Sequence, residues 1–216
     1  MTVARWASVV ALATLAGCAA ASPYDYSLFR EHEPRSILVL PPLNETVEVM
    51  ADYNWLSTAT MPLAEHGYYV YPVAVVDAFM KENGLPTPGE MHGVAPQRLR
   101  EVFGADAVLY VTITEWGQKY VLLSSNTVVA ATARLVDART GTQIWDGKVS
   151  LVDSSGGSGD LIADLVIAVV EQIVDRSSDR AHGLSRTANY ALFWNAERGL
   201  PAGQRSPDYA TDTRGR

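Results

Sequence analysis

Apolar positions along the chain gather into short runs separated by proline, glycine and charged residues, a pattern of strands alternating with helices. Ile37-Leu38-Val39-Leu40 is a continuous apolar run closed by Pro41-Pro42, which cannot donate ladder hydrogen bonds, so a buried strand is predicted to end there. Val49 to His66 is helical in places, with Pro62 expected to kink the helix or start a new one. After Gly67, Tyr68-Tyr69-Val70-Tyr71 has strong strand propensity up to Pro72. Ala74 to Asn83 is predicted as a helix stopped by Gly84 and Pro86. Pro96 to Phe103 is predicted as a second, with Leu99, Val102 and Phe103 on one side and Gly104 beyond its end.

Three strands come next. In Ala107 to Trp116 the two-residue period places Val108, Tyr110 and Trp116 on one face and Leu109, Val111 and Ile113 on the other, so the strand is central and covered on both sides. Thr127 to Val136 and Gln143 to Val152 are joined through a hairpin turn carried by Asp137, Thr140 and Gly141. Gly141 suits positive φ, and Trp145 falls on the return strand. Ser154 to Gly159 reads as a flexible loop and Asp160 as the cap of a helix to about Asp179. That helix is apolar over more than one face, so it is either deeply buried or shared with a partner. Ser185 is the predicted cap of a last helix holding Leu192, Phe193 and Trp194, closed by Gly199 and Pro201. No internal repeat has a fixed period. The expected fold is α/β: a mixed sheet of about five strands with helices packed on it.

The N-terminus carries a different signal. Arg5, an apolar run from Ala7 to Ala16 and the small residues before Cys18 form the three parts of a secretory leader, and the run is too short for a spanning helix, which needs about 20 residues. Leu15-Ala16-Gly17-Cys18 resembles the lipobox of bacterial lipoproteins. The resemblance implies cleavage before Cys18, diacylglycerol on its thiol and acylation of the new amine. Cys18 is the one cysteine of the chain, so no intramolecular disulfide competes for it. Ala19, in place of an aspartate, favours sorting to the outer membrane, facing the periplasm. The expected organisation is therefore a signal peptide over 1–17, a lipidated tether over 18–35 reaching on the order of 50 Å, a periplasmic α/β domain over 36–200 and a flexible tail over 201–216.

Composition narrows the partners. With 48% hydrophobic and 19% charged residues the chain reads as ordered and globular, and its net charge of −7 argues against nucleic acid, whose binding needs clustered Lys and Arg. His32, His66, His92 and His182 are isolated from one another, so no metal site is expected and no cofactor beyond the covalent lipid. Ser158 lacks the Gly-x-Ser-x-Gly frame of a nucleophile elbow, and the same loop lacks the lysine of a phosphate-binding loop. Glu65, His66 and Glu115 are the residues an envelope enzyme or ligand-binding domain would draw on, although a helix end before Gly67 accounts for Glu65 and His66 equally well. The strands long enough for a membrane barrel are all needed by the core, which favours a peripheral component over a pore.

Three stretches carry a family resemblance: Pro62 to Leu85 (PLAEHGYYVYPVAVVDAFMKENGL), Gly104 to Tyr120 (GADAVLYVTITEWGQKY) and Leu135 to Gly147 (LVDARTGTQIWDG). Together they resemble lipoproteins of Gram-negative bacteria of uncharacterised activity that include a genome-derived neisserial antigen. Asp137-x-x-Thr140-Gly141-x-x-x-Trp145 is similar, more loosely, to CsgG-like lipoproteins and the N-terminal domain of TolB. These resemblances imply a periplasmic α/β domain and, because relatives tend to be encoded beside CsgG-like lipoproteins, an envelope protein of that kind as partner, with oligomerisation left open. The function expected is a non-enzymatic adaptor or assembly factor in an envelope or secretion complex. The alternative is an enzyme or ligand-binding domain acting on cell-wall material.

Overall fold

The computed structural model describes residues 23–121, 124–154 and 180–214. The leader, Leu15 to Ala19 with Cys18 among them, the loop to Gly159 and the expected 160–179 helix lie outside the described residues. Elements follow in the order α1 (Ser27–His32), β1 (Ser36–Val39), β2 (Leu43–Asn44), α2 (Ala51–Glu65), β3 (Tyr69–Val70), α3 (Val73–Glu82), α4 (Pro88–His92), α5 (Pro96–Phe103), β4 (Ala107–Val121), β5 (Ser124–Asp137), β6 (Gln143–Ser154) and α6 (Arg180–Phe193). The sheet is mixed and six-stranded, in the order β3-β1-β4-β5-β6, with β2 also on β4. β1 is parallel to β3 and β4, whereas β4, β5 and β6 run antiparallel.

Pro41 and Pro42 end β1 as their missing amides require, but the chain resumes beside the same strand. Ile37 to Val39 pair with Ala107 to Leu109, and Leu43-Asn44 with Thr112-Ile113. The sheet thus gains a sixth strand over the five expected.

Two apolar layers sandwich the sheet. Ile37, Val39, Leu109, Val111 and Ile113 meet Trp55, Ala59 and Leu63 of α2 and Ala188, Leu192 and Phe193 of α6 on one face. Leu38, Leu40, Val108 and Tyr110 meet Val76, Met80, Met91 and Leu99 of α3, α4 and α5 on the other. Ala107 to Val111 are all buried, as a central strand requires.

The alternation of β4 breaks where the sequence gives no sign of it. A bulge between Ile113 and Glu115 shifts the register, so Trp116 packs on the same side as Ile113, not with Val108 and Tyr110. One extra residue reverses the facing of everything after it. β4 and β5 also run on to Val121 and from Ser124, past the ends expected for them.

Both ends of the domain depart from expectation. Residues 24–35, read as tether, join the fold: Tyr26 and Phe29 are buried, and the Tyr26 hydroxyl donates to the carbonyl of Gly199 at 2.7 Å. Residues 201–214, read as tail, form a strap. The Tyr68 hydroxyl donates to Pro201 O (2.6 Å), Gly203 N to His66 O (2.8 Å) and Ala202 N to Asp212 Oδ2 (2.7 Å). Burial alone would raise the Asp212 carboxyl, but Arg214 and the amides of Ala202 and Arg214 hold it down at about 2. Pro62 leaves α2 continuous through Glu65. Ser185 lies inside α6 and caps nothing; its buried hydroxyl bonds Thr58 Oγ1 at 2.7 Å, and Asn189 Nδ2 donates to the same oxygen at 2.9 Å. That polar cluster fixes α6 against α2 inside an otherwise apolar interface.

Candidate functional site

The helices cover only part of the second sheet face. Where β4, β5 and β6 extend past α4 they leave an open cleft of about 630 Å³. Its floor follows from strand periodicity: Tyr110 lies opposite Arg134, Thr112 opposite Thr132, Arg134 opposite Asp146 and Thr132 opposite Lys148.

The Arg134 guanidinium sits 4.0 Å from the Tyr110 ring centroid, and the His92 ring meets that ring edge-on at 5.2 Å. His92 Nε2 is 2.9 Å from Pro41 O, and burial pushes its pKa below the ordinary value, so the ring is neutral at pH 7. Arg198 reaches the wall from beyond α6, 3.5 Å from Asp146 Oδ2 and over the Tyr24 ring at 5.0 Å. The Tyr24 hydroxyl donates to Asp146 Oδ1 at 3.1 Å and accepts from Asp146 N at 3.0 Å. Burial, with the carboxylate beside it, raises this phenol to about 12. Lys148 and Arg134 have no carboxylate partner among the described residues. The cleft is thus a cation-rich surface suited to holding an anion.

The residues singled out for acid–base chemistry are placed apart. Glu65 accepts from the Tyr190 hydroxyl at 2.6 Å. His66 turns inward, with Nε2 at 2.7 Å from Leu200 O and its ring 4.8 Å from that of Trp194. Glu115 stands at the bulge of β4 opposite Ala130. Among the described residues no three His, Cys, Asp or Glu side chains converge as a metal site would require.

His66 predicts a pH effect. Desolvation lowers its pKa, so below the ordinary value of 6.5 the unfolded chain takes up a proton that the folded chain does not. Stability contributed by the neutral ring is complete above 6.5 and is lost as pH falls from there toward the lower folded pKa. His92 acts with the same sign. The melting temperature should decline as pH is lowered through this range, and His66→Gln should flatten the decline; an unchanged slope would refute the assignment.

In the hairpin turn, Asp137 Oδ1 accepts from Arg139 N (3.0 Å), Thr140 N (2.7 Å) and Thr140 Oγ1 (2.9 Å), while Gly141 has φ +78°. Trp145, 1% exposed, donates Nε1–H to Arg198 O at 2.8 Å. The turn closes the β5–β6 hairpin, and Trp145 holds the backbone of Arg198 beside the cleft wall.

A second surface lies at the opposite edge of the sheet. The rings of Tyr69, Tyr71, Phe103 and Phe79 follow one another at 5.1, 6.5 and 5.2 Å. Val75, one helical turn from Phe79 on α3, is 63% exposed. Several exposed apolar side chains on one patch mark an interaction surface more than single ones do.

This architecture, a mixed sheet closed by α2 and α6 on one face and by three short helices on the other, defines a small α/β domain. The family model described as "Putative lipoprotein GNA1162-like" matches residues 24–205. A protein of Neisseria meningitidis serogroup B described as "Putative lipoprotein NMB1124/NMB1162" is 46% identical over 174 residues, 80% of this chain and 81% of that one. The crystal structure of lipoprotein GNA1162 from Neisseria meningitidis superposes with a TM-score of 0.55 at 46% identity, over 59% of this chain and 88% of the other. The chain belongs to the GNA1162-like lipoprotein family.

Proposed function

We propose that the protein is an outer-membrane lipoprotein, acylated on Cys18 and facing the periplasm, whose domain acts as a non-enzymatic adaptor in an envelope or secretion complex. The observation that carries the adaptor reading is the aromatic strip from Tyr69 to Phe79 with Val75, an apolar surface on a framework that sets the candidate acid–base groups Glu65, His66 and Glu115 apart from one another. Its partner is a second envelope protein, a CsgG-like lipoprotein being the one the sequence resemblance implies. The cation-rich cleft supports ligand binding as the second reading.

Two or more acyl chains on one residue, at about 0.8 kcal/mol per buried methylene, hold a protein on a bilayer without exchange. Palmitate labelling with separation of inner and outer membranes tests the anchor. The wild-type protein should be labelled and recovered with outer membranes, and Cys18→Ala should lose the label. Labelling that persists in Cys18→Ala would overturn the lipid assignment.

A further inference from the structure

We propose that the edge of the domain formed by β6, with Arg134, Lys148 and Arg198 around the cleft, lies against the membrane and takes the phosphates of anionic lipid headgroups. The inference rests on the reading of Cys18 as the lipid-bearing residue and deepens it by fixing the orientation of the domain.

The chain enters the fold at Tyr24. Tyr24 is held from both sides by Asp146, through hydrogen bonds of 3.1 and 3.0 Å, and lies under the Arg198 guanidinium. Tyr26, two residues on, is buried. The tether therefore runs only from Cys18 to Tyr24, and six residues span at most about 20 Å however they are arranged. That is well short of the reach expected when the tether extended to residue 35. The entry point must stay close to the headgroups, and so must the side chains that touch it.

Asp146 and Arg198 touch Tyr24, and two further cations, Arg134 and Lys148, neighbour Asp146 on the same face of the sheet. Asp146 and Lys148 project from the same face of β6, two residues apart, and Arg134 faces Asp146 across the ladder. Asp146 is occupied by Tyr24 and Arg198, whereas Lys148 and Arg134 have no carboxylate partner among the described residues. On a chain of net charge −7, three cations around the single carboxylate of Asp146 at the point of anchorage are a local excess of positive charge. A bilayer containing anionic lipid attracts each such residue within a Debye length of its surface. The far edge of the sheet is β3, which leads through Pro72 into α3 and Val75; it lies four strand spacings from β6, about 19 Å, and three from β5, about 14 Å, and faces the periplasm.

The test uses the lipidated full-length protein in vesicles of phosphatidylethanolamine and phosphatidylglycerol containing a headgroup nitroxide lipid. Because acylation blocks Cys18, a fluorophore can be placed at Thr132→Cys, exposed beside the cluster, or at Val75→Cys on the far edge. Quenching at 132 should exceed that at 75 by about twofold or more, and should fall with added salt and with Arg134→Glu/Lys148→Glu. The milder Lys148→Gln should lower it part of the way, and an unchanged melting temperature would show that the charge-reversed domain is folded. Equal quenching at the two positions, or quenching indifferent to charge reversal and salt, would overturn the proposal while leaving the anchor intact. Protein that does not float with the vesicles and lacks acyl mass on Cys18 would overturn the anchor, and with it this orientation.

Discussion

Replacing Trp145 with alanine should destabilise the domain by about 3–5 kcal/mol, the cost typical of removing a fully buried tryptophan, and lower its melting temperature by roughly 10 °C. The indole is 1% exposed and its ring centroid lies 6.2 Å from that of Phe193 on α6. It fills so much of the space beside Gly147 that a Cβ there would come within 2.6 Å of the ring. Its Nε1–H also ties Arg198 O to β6 at 2.8 Å, which joins the sheet edge to the segment after α6. Trp145→Phe keeps most of the volume but loses that hydrogen bond to a part-buried carbonyl, so it should cost about 1–2 kcal/mol. Chemical denaturation followed by circular dichroism measures both; a loss below about 1 kcal/mol for Trp145→Ala would contradict the packing described.

The second large effect is at Gly67, and a paired control separates its two causes. Gly67 has φ +97°, and a Cβ there would stand 2.4 Å from Ser206 N and 2.7 Å from Gly203 O, both backbone atoms of the C-terminal strap. Gly84 has a similar φ of +84° but no heavy atom within 4 Å of the same position. Gly84→Ala should therefore cost only the strain of positive φ, about 1 kcal/mol, whereas Gly67→Ala adds a collision that the strap can escape only by detaching, and should cost about 3 kcal/mol or more. Detachment breaks the bonds from Gly203 N to His66 O and from Arg205 N to Gly67 O. Amide exchange at those two nitrogens should rise in Gly67→Ala and stay unchanged in Gly84→Ala. Equal losses for the two variants would show that the strap contributes nothing.

How much of this was legible in the sequence depends on the range of the interaction. Strands bounded by proline or glycine, such as Ile37 to Val39 and the start of Ala107, and helices with clean stops, such as Pro96 to Phe103, are set locally and fall where the pattern puts them. α4 had a readable signal that periodicity alone passes over: Thr87 and Glu90 form a capping box around Pro88. The bulge after Ile113 had none, since it arises from pairing with β5. The strap and the first helix carry too few apolar residues to show a period. They are ordered by Tyr26, Phe29 and Leu200 entering a core built elsewhere. The cleft was illegible for the same reason: Tyr110, Arg134, Lys148 and Arg198 are far apart in the chain and meet only across three strands and a helix end. Conversely, Glu65 and His66 suggested chemistry by adjacency, which the end of a helix undoes by turning one outward to Tyr190 and the other inward to Leu200.

The two surfaces fit one arrangement, with the β6 edge toward the lipid and the aromatic edge toward a periplasmic partner. Site-specific photo-crosslinking in intact cells from Val75, with Ser57 on the outer side of α2 as the control position and Cys18→Ala as the unlipidated control, tests this most directly. One envelope protein should be crosslinked from position 75, absent from position 57 and lost with the anchor. The same products from both positions, or none from position 75 at matched expression, would contradict the adaptor role and turn attention to the cleft as a ligand-binding site.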